Sequence, residues 1–141
     1  MTNSERPTMI EGCCFCGQCS YEASGKLFDV LNCHCSNCRK LTGATFSTYG
    51  AVLKDQFNWL CEQTRVRQFW SSQNVCRYFC NICGAMMASI DQKEPNSIYL
   101  SVGLLKVGTI VKPEYHQYVA SKATWYDIKD DLPQFMAESS T

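Results

Sequence analysis

Val75-Cys76-Arg77-Tyr78-Phe79-Cys80-Asn81-Ile82-Cys83-Gly84 runs a β-forming segment straight into two cysteines separated by two residues. Branched and aromatic side chains favour a pleated surface. The C-x-x-C turn that follows lets both thiolates face one ion, and the glycine after it accepts the backbone conformation such turns need. The stretch therefore predicts a strand ending in half of a metal knuckle. Cys14-Phe15-Cys16-Gly17 supplies the other half. Four thiolates make a coordinatively closed, structural site. Joining Cys16 to Cys80 ties the start of the domain to its middle and constrains the unfolded chain much as a disulfide would.

Outward from this stretch, short apolar runs alternate with turn formers. Strands are predicted at Cys19–Ala23, Ala44–Leu53, Phe57–Cys61, Arg65–Trp70, Val75–Phe79, Ala85–Ile90, Ile98–Val102 and Tyr115–Val119. Their spacing is that of an all-β sandwich or barrel. Helical signals are limited to a turn near Ser36–Leu41 and another near Leu132–Ala137, where Pro133 suits a first helical position. The reading is a flexible tail over residues 1–9, one zinc-binding β domain over 10–136, and a C-terminal tail over 137–141. Trp59, Trp70, Tyr99 and Trp125 lie on or near strand-like segments and are expected in the core.

Composition narrows the function. A chain of 141 residues fits one domain, and thirteen basic against thirteen acidic side chains give no broad field for nucleic acid or an anionic membrane. Eleven cysteines, about 8% of the chain, point to disulfides or metal. The opening residues show no basic and apolar export signal, and no apolar run is long enough to span a bilayer. A reducing cytoplasm is therefore expected, where clustered cysteines bind metal or do redox chemistry.

Cys33-His34-Cys35-Ser36-Asn37-Cys38-Arg39-Lys40 places three more thiols within six residues. Three close thiolates without an obvious fourth ligand suit a zinc with an open position, the mark of a catalytic rather than structural ion. A fourth ligand would close the site, and Cys13, Cys19, Cys61, Cys76, His34 and His116 remain as candidates. The four cysteines are read as small apolar residues, and His34 as turned away from the metal toward solvent or an outer partner. Arg39 and Lys40 read by default as solvated surface charges and are the candidates to hold a substrate carboxylate.

These motifs resemble the glutathione-dependent formaldehyde-activating enzymes, a family that also includes centromere protein V. Gly12-Cys13-Cys14-Phe15-Cys16-Gly17, Cys33 to Lys40 followed by Gly43, and Arg77 to Gly84 match its three cysteine motifs in order. Pro113, His116, Ser121-Lys122, Trp125 and Asp130 to Phe135 follow its closing pattern, with Gln117 and Asp131 as departures. The resemblance implies a tent-like fold of short antiparallel sheets with two zinc ions. One is structural, on Cys14, Cys16, Cys80 and Cys83, and one catalytic, on Cys33, Cys35 and Cys38. The implied activity is that of a carbon–sulfur lyase, condensing glutathione or a similar thiol with formaldehyde or a similar aldehyde. The alternative is a zinc-stabilised β module that binds a protein partner, with a closed second site and an exposed apolar patch.

Overall fold

The computed structural model describes residues 9–138, so residues 1–8 of the expected N-terminal tail and 139–141 of the C-terminal one lie outside the described residues. The chain is mostly strand: β1 (Met9–Cys13), β2 (Ser20–Ser24), β3 (Phe28–Cys33), β4 (Ser47–Leu53), β5 (Phe57–Trp59), β6 (Val66–Trp70), β7 (Val75–Cys80), β8 (Met86–Asp91), β9 (Ser97–Ser101) and β10 (Tyr115–Gln117). A short helix, α1 (Ser36–Thr42), follows β3. β1, β2 and β5 form a small antiparallel sheet. The other strands form a large one in the order β10-β3-β4-β9-β8-β7-β6.

Strand alternation sends side chains to the two faces of the large sheet and so builds two cores. Val52, Cys80, Met87, Ile98 and Leu100 pack with Ile10, Tyr21 and Ala23 of the small sheet. Burying each large apolar side chain here is worth roughly 1.5–3 kcal/mol. Neighbours of these residues along the same strands, Tyr49, Phe79, Met86 and Tyr99, join Leu31, Cys33, Cys38 and Tyr115 in a second cluster. A register irregularity between Tyr78 and Phe79 opposite β8 marks a bulge where the strands pass between the two clusters.

The predicted strands form within a few residues of their expected ends, and two more are present. β1 starts at Met9, within the expected tail, and pairs along its length with β2. β3 was not expected, and its burial on both faces beyond Asp29 accounts for the missing alternation. The sheets are antiparallel except at one edge, where β10 runs parallel to β3 with Gln117 opposite Cys33. The helix expected near Leu132–Ala137 does not form. That segment lies extended along β10, with His116 N donating to Pro133 O at 2.9 Å and Phe135 N to His116 O at 2.9 Å. Its backbone groups are satisfied by β10 rather than by a helical turn. Trp70 and Trp125 are exposed rather than core, and Trp125 Nε1 reaches Thr45 Oγ1 at 3.3 Å.

Candidate metal centres

Two cysteine groups come together. Sγ atoms of Cys14, Cys16, Cys80 and Cys83 lie within 4.8 Å of one another, as do those of Cys33, Cys35 and Cys38. In the first group Cys14 and Cys16 are 3.6 Å apart, and Cys16 and Cys80 3.7 Å. A zinc tetrahedron with bonds of about 2.3 Å has sulfur–sulfur edges of about 3.8 Å, so this donor set fits the ion. Two local turns make the fit. Gly17 and Gly84 sit at φ 81° and 78°, which costs a residue with a side chain conformational strain. Gly84 N then returns to Cys80 O at 3.0 Å. The turn also aims amides at sulfur: Ile82 N and Cys83 N each donate to Cys80 Sγ at 3.4 Å, and Cys19 N donates to Cys14 Sγ at 3.3 Å. Such bonds favour thiolate over thiol. Although burial opposes it, the net effect brings the Cys80 pKa down to about 6.

The second group is built by the end of β3 and the start of α1. Cys33 closes β3, while Cys35 is the N-cap of α1, its sulfur accepting from Cys38 N at 3.2 Å. That cap draws Cys35 and Cys38 to 3.0 Å, with Cys33 3.4 Å from Cys38. Tyr49 Oη on β4 donates to Cys38 Sγ at 3.4 Å, and Arg77 Nη1 on β7 stands 4.0 Å from it. Hydrogen bonds from Cys33 and Cys35 hold the Cys38 thiol down to about 2, with Tyr49 and Arg77 adding to the effect. Their counterpart is Cys33, pushed far up by those same bonds and by burial. Soft thiolates of this kind suit zinc.

The trio lines a cavity of about 560 Å³. Charges in its wall are Arg77 and Lys93 against Asp29, Asp91, Glu94 and Glu138. Asp29 lies at a bulge with φ 49°, and its carboxylate accepts from Tyr99 Oη and, at 2.6 Å, from Tyr115 Oη.

The sequence matches the glutathione-dependent formaldehyde-activating enzymes over residues 9–121. The chain belongs to that family. A crystal structure of a Rhodobacter sphaeroides protein is similar in fold, at a TM-score of 0.58 and 19% identity, covering 71% of this chain and 90% of that one. Among curated proteins none matches.

Within this family frame, none of the expected candidates for a fourth ligand joins the trio: among the described residues its ligand group consists of Cys33, Cys35 and Cys38. Cys19 and Cys76 are buried, in keeping with small apolar residues, while Cys13 is exposed and Cys61 half-buried. His34 turns from the thiols as expected, but into the interior rather than solvent. It is fully buried, its Nε2 is 2.8 Å from His116 Nδ1, and His116 Nε2 meets Asp130 Oδ2 at 3.0 Å. Burial, then the neighbouring His116, lowers the His34 pKa to about 4. Arg39 is spent on the backbone, donating to His34 O at 2.9 Å and to Ser121 O. Neither Arg39 nor Lys40 is among the cavity-lining residues; Arg77, Tyr49, Gln117 and the Asp29–Tyr99–Tyr115 group are. Arg77 had a visible signal, a charge inside the apolar run Val75–Cys80. Gln117 sits opposite Cys33 only because β10 pairs parallel, which no local pattern shows.

Proposed function

We propose that the chain is a zinc-dependent carbon–sulfur lyase resembling S-(hydroxymethyl)glutathione synthase, adding glutathione or a similar thiol to formaldehyde or a similar aldehyde. One observation supports this most directly: three thiols, without a fourth ligand among the described residues, line a cavity of about 560 Å³. A non-catalytic module calls for a closed second site, which the three-member group disfavours. Zinc held by Cys33, Cys35 and Cys38 supplies Lewis acidity that lowers the pKa of an incoming thiol from its ordinary value of about 8.5.

The surrounding residues orient and concentrate the reactants. Lys93 suits a carboxylate of glutathione, and the four wall carboxylates suit its ammonium group, so the wall accepts a zwitterion. Gln117 Nε2, 3.7 Å from Cys33 Sγ, and Tyr49 Oη, on Cys38 Sγ, fix the directions of their sulfurs. Formaldehyde reacts with thiols unaided, so holding the two in contact supplies much of the acceleration. Exchange spectroscopy on an equilibrated glutathione–formaldehyde mixture should show faster interconversion with micromolar protein loaded with zinc. Unchanged exchange rates in such a sample would rule the activity out.

A further inference from the structure

We propose that Arg77 is the oxyanion donor of this site, the group that receives the negative charge on the aldehyde oxygen as the carbon–sulfur bond forms. The inference rests on the lyase reading above. Its starting observation is a buried cation without an acidic partner. Arg77 is 8% exposed, and among the described residues no Asp or Glu pairs with it. Its Nε donates to Ser71 Oγ at 3.0 Å and its Nη1 to Tyr49 Oη at 3.2 Å, while Nη2 makes no hydrogen bond among the described residues. A buried guanidinium is costly unless compensated, and a structural one is ordinarily matched by carboxylate. Here the side chain that faces it in place of a carboxylate is Cys38 of the trio, its Sγ 4.0 Å from Nη1. Two neutral hydroxyls therefore fix the direction of a planar donor at the wall of the cavity that the trio also lines.

The chemistry calls for such a donor at this place. A thiolate attacks the carbonyl carbon, the carbon–sulfur bond forms, and the C=O π pair moves onto oxygen. The resulting alkoxide takes a proton from water and leaves as the hydroxymethyl thioether. The thiol's own proton has already gone to solvent, and nothing is oxidised or reduced. Charge thus develops on an oxygen two bonds from the attacking sulfur. A sulfur that reaches the trio beside Cys38 brings that oxygen within range of Arg77, whose delocalised charge and fixed fork suit an oxyanion. The Ser71 and Tyr49 contacts hold the fork in advance, so it need not reorganise as the charge appears.

The test compares Arg77→Gln, Arg77→Lys and Arg77→Ala with the parent protein, each loaded with zinc. In Arg77→Gln, kcat should fall by about 10²–10³, the range for loss of one oxyanion donor. KM, zinc per chain and the calorimetric affinity for glutathione alone should stay within about threefold. Arg77→Lys should recover part of the loss, and added guanidinium ion should raise kcat of Arg77→Ala but not of the parent. If Arg77→Gln fails to fold, Arg77→Lys and the guanidinium rescue decide the matter. An unchanged kcat per bound zinc overturns the inference, and so does a loss explained wholly by missing zinc. Absence of activity in the parent would instead remove the lyase reading itself, a separately visible result.

Discussion

Cys35 has two duties that one substitution separates. Its sulfur is both a member of the trio and the N-cap of α1. Serine is itself a good N-cap, so Cys35→Ser should keep the helix while removing a metal donor. Elemental analysis should then read one zinc per chain in place of two, exchange activity should vanish, and the melting temperature should shift by only a few degrees. Unfolding of the variant would mean that the second centre is structural as well. Gly84 is the reverse case, where space is free and only the backbone objects. Nothing lies within 4 Å of an added Cβ, but φ is 78°. Gly84→Ala should therefore cost about 1 kcal/mol, read from the denaturant midpoint, through strain alone.

Among the elements, the extended segment after residue 130 pairs with β10 and packs Phe135 against the second core cluster. Asp130 anchors it, accepting from His116 Nε2 and from Leu132 N at 3.0 Å. The His116 contact holds the Asp130 carboxyl below its usual 3.8. Its stabilisation is thus complete above that value and fades as pH falls through the lower folded value. Asp130→Asn should flatten the acid limb of the stability–pH curve and leave the neutral region less affected, as chemical denaturation between pH 2 and 7 would show. Such long-range pairing also marks the boundary of what sequence discloses. Strands such as Ile98–Val102 and Val75–Phe79 were legible because branched and aromatic residues crowd between turn formers. Clustered cysteines were legible because ligand spacing is local. β3 was not, since Asp29 and Asn32 interrupt a strand buried on both sides, and the bulge at Asp29 breaks its register. Leu132–Ala137 read as helix because Pro133 suits a helix start, yet the acceptors that claim its amides are on β10, far away in sequence. Arg39 is absent from the cavity lining and Arg77 present in it for the same reason: nearness to Cys38 in sequence is not nearness to the cavity.

Over the whole molecule, the two cysteine groups belong to different cores, and metals bound there would contribute differently to stability. The first joins Cys16 to Cys80, 64 residues apart. A cross-link closing a loop of that length is worth about 4 kcal/mol by loop entropy. The second spans Cys33 to Cys38, a loop too short to gain much in this way. Graded chelation should therefore show two steps: loss of the more open second metal with activity and little change in far-ultraviolet circular dichroism, then loss of the first with cooperative unfolding. A single step that abolishes both would contradict this division.

The parallel pairing of β10 with β3 also has a kinetic side. Contact between Gln117 and Cys33 joins positions 84 apart, and that between His116 and His34 positions 82 apart. Closing loops of this size is slow compared with forming the hairpins of the sheet interior. During refolding the three thiols should thus remain open to reagents after the sheet has formed, and become shielded only when the last strand docks. Pulsed alkylation of Cys33, Cys35 and Cys38 would time that step, and protection arriving together with the hairpin signal would refute it. Such a delay would give a metal a period of entry before the last strand docks, in addition to the route through the cavity that the folded chain keeps.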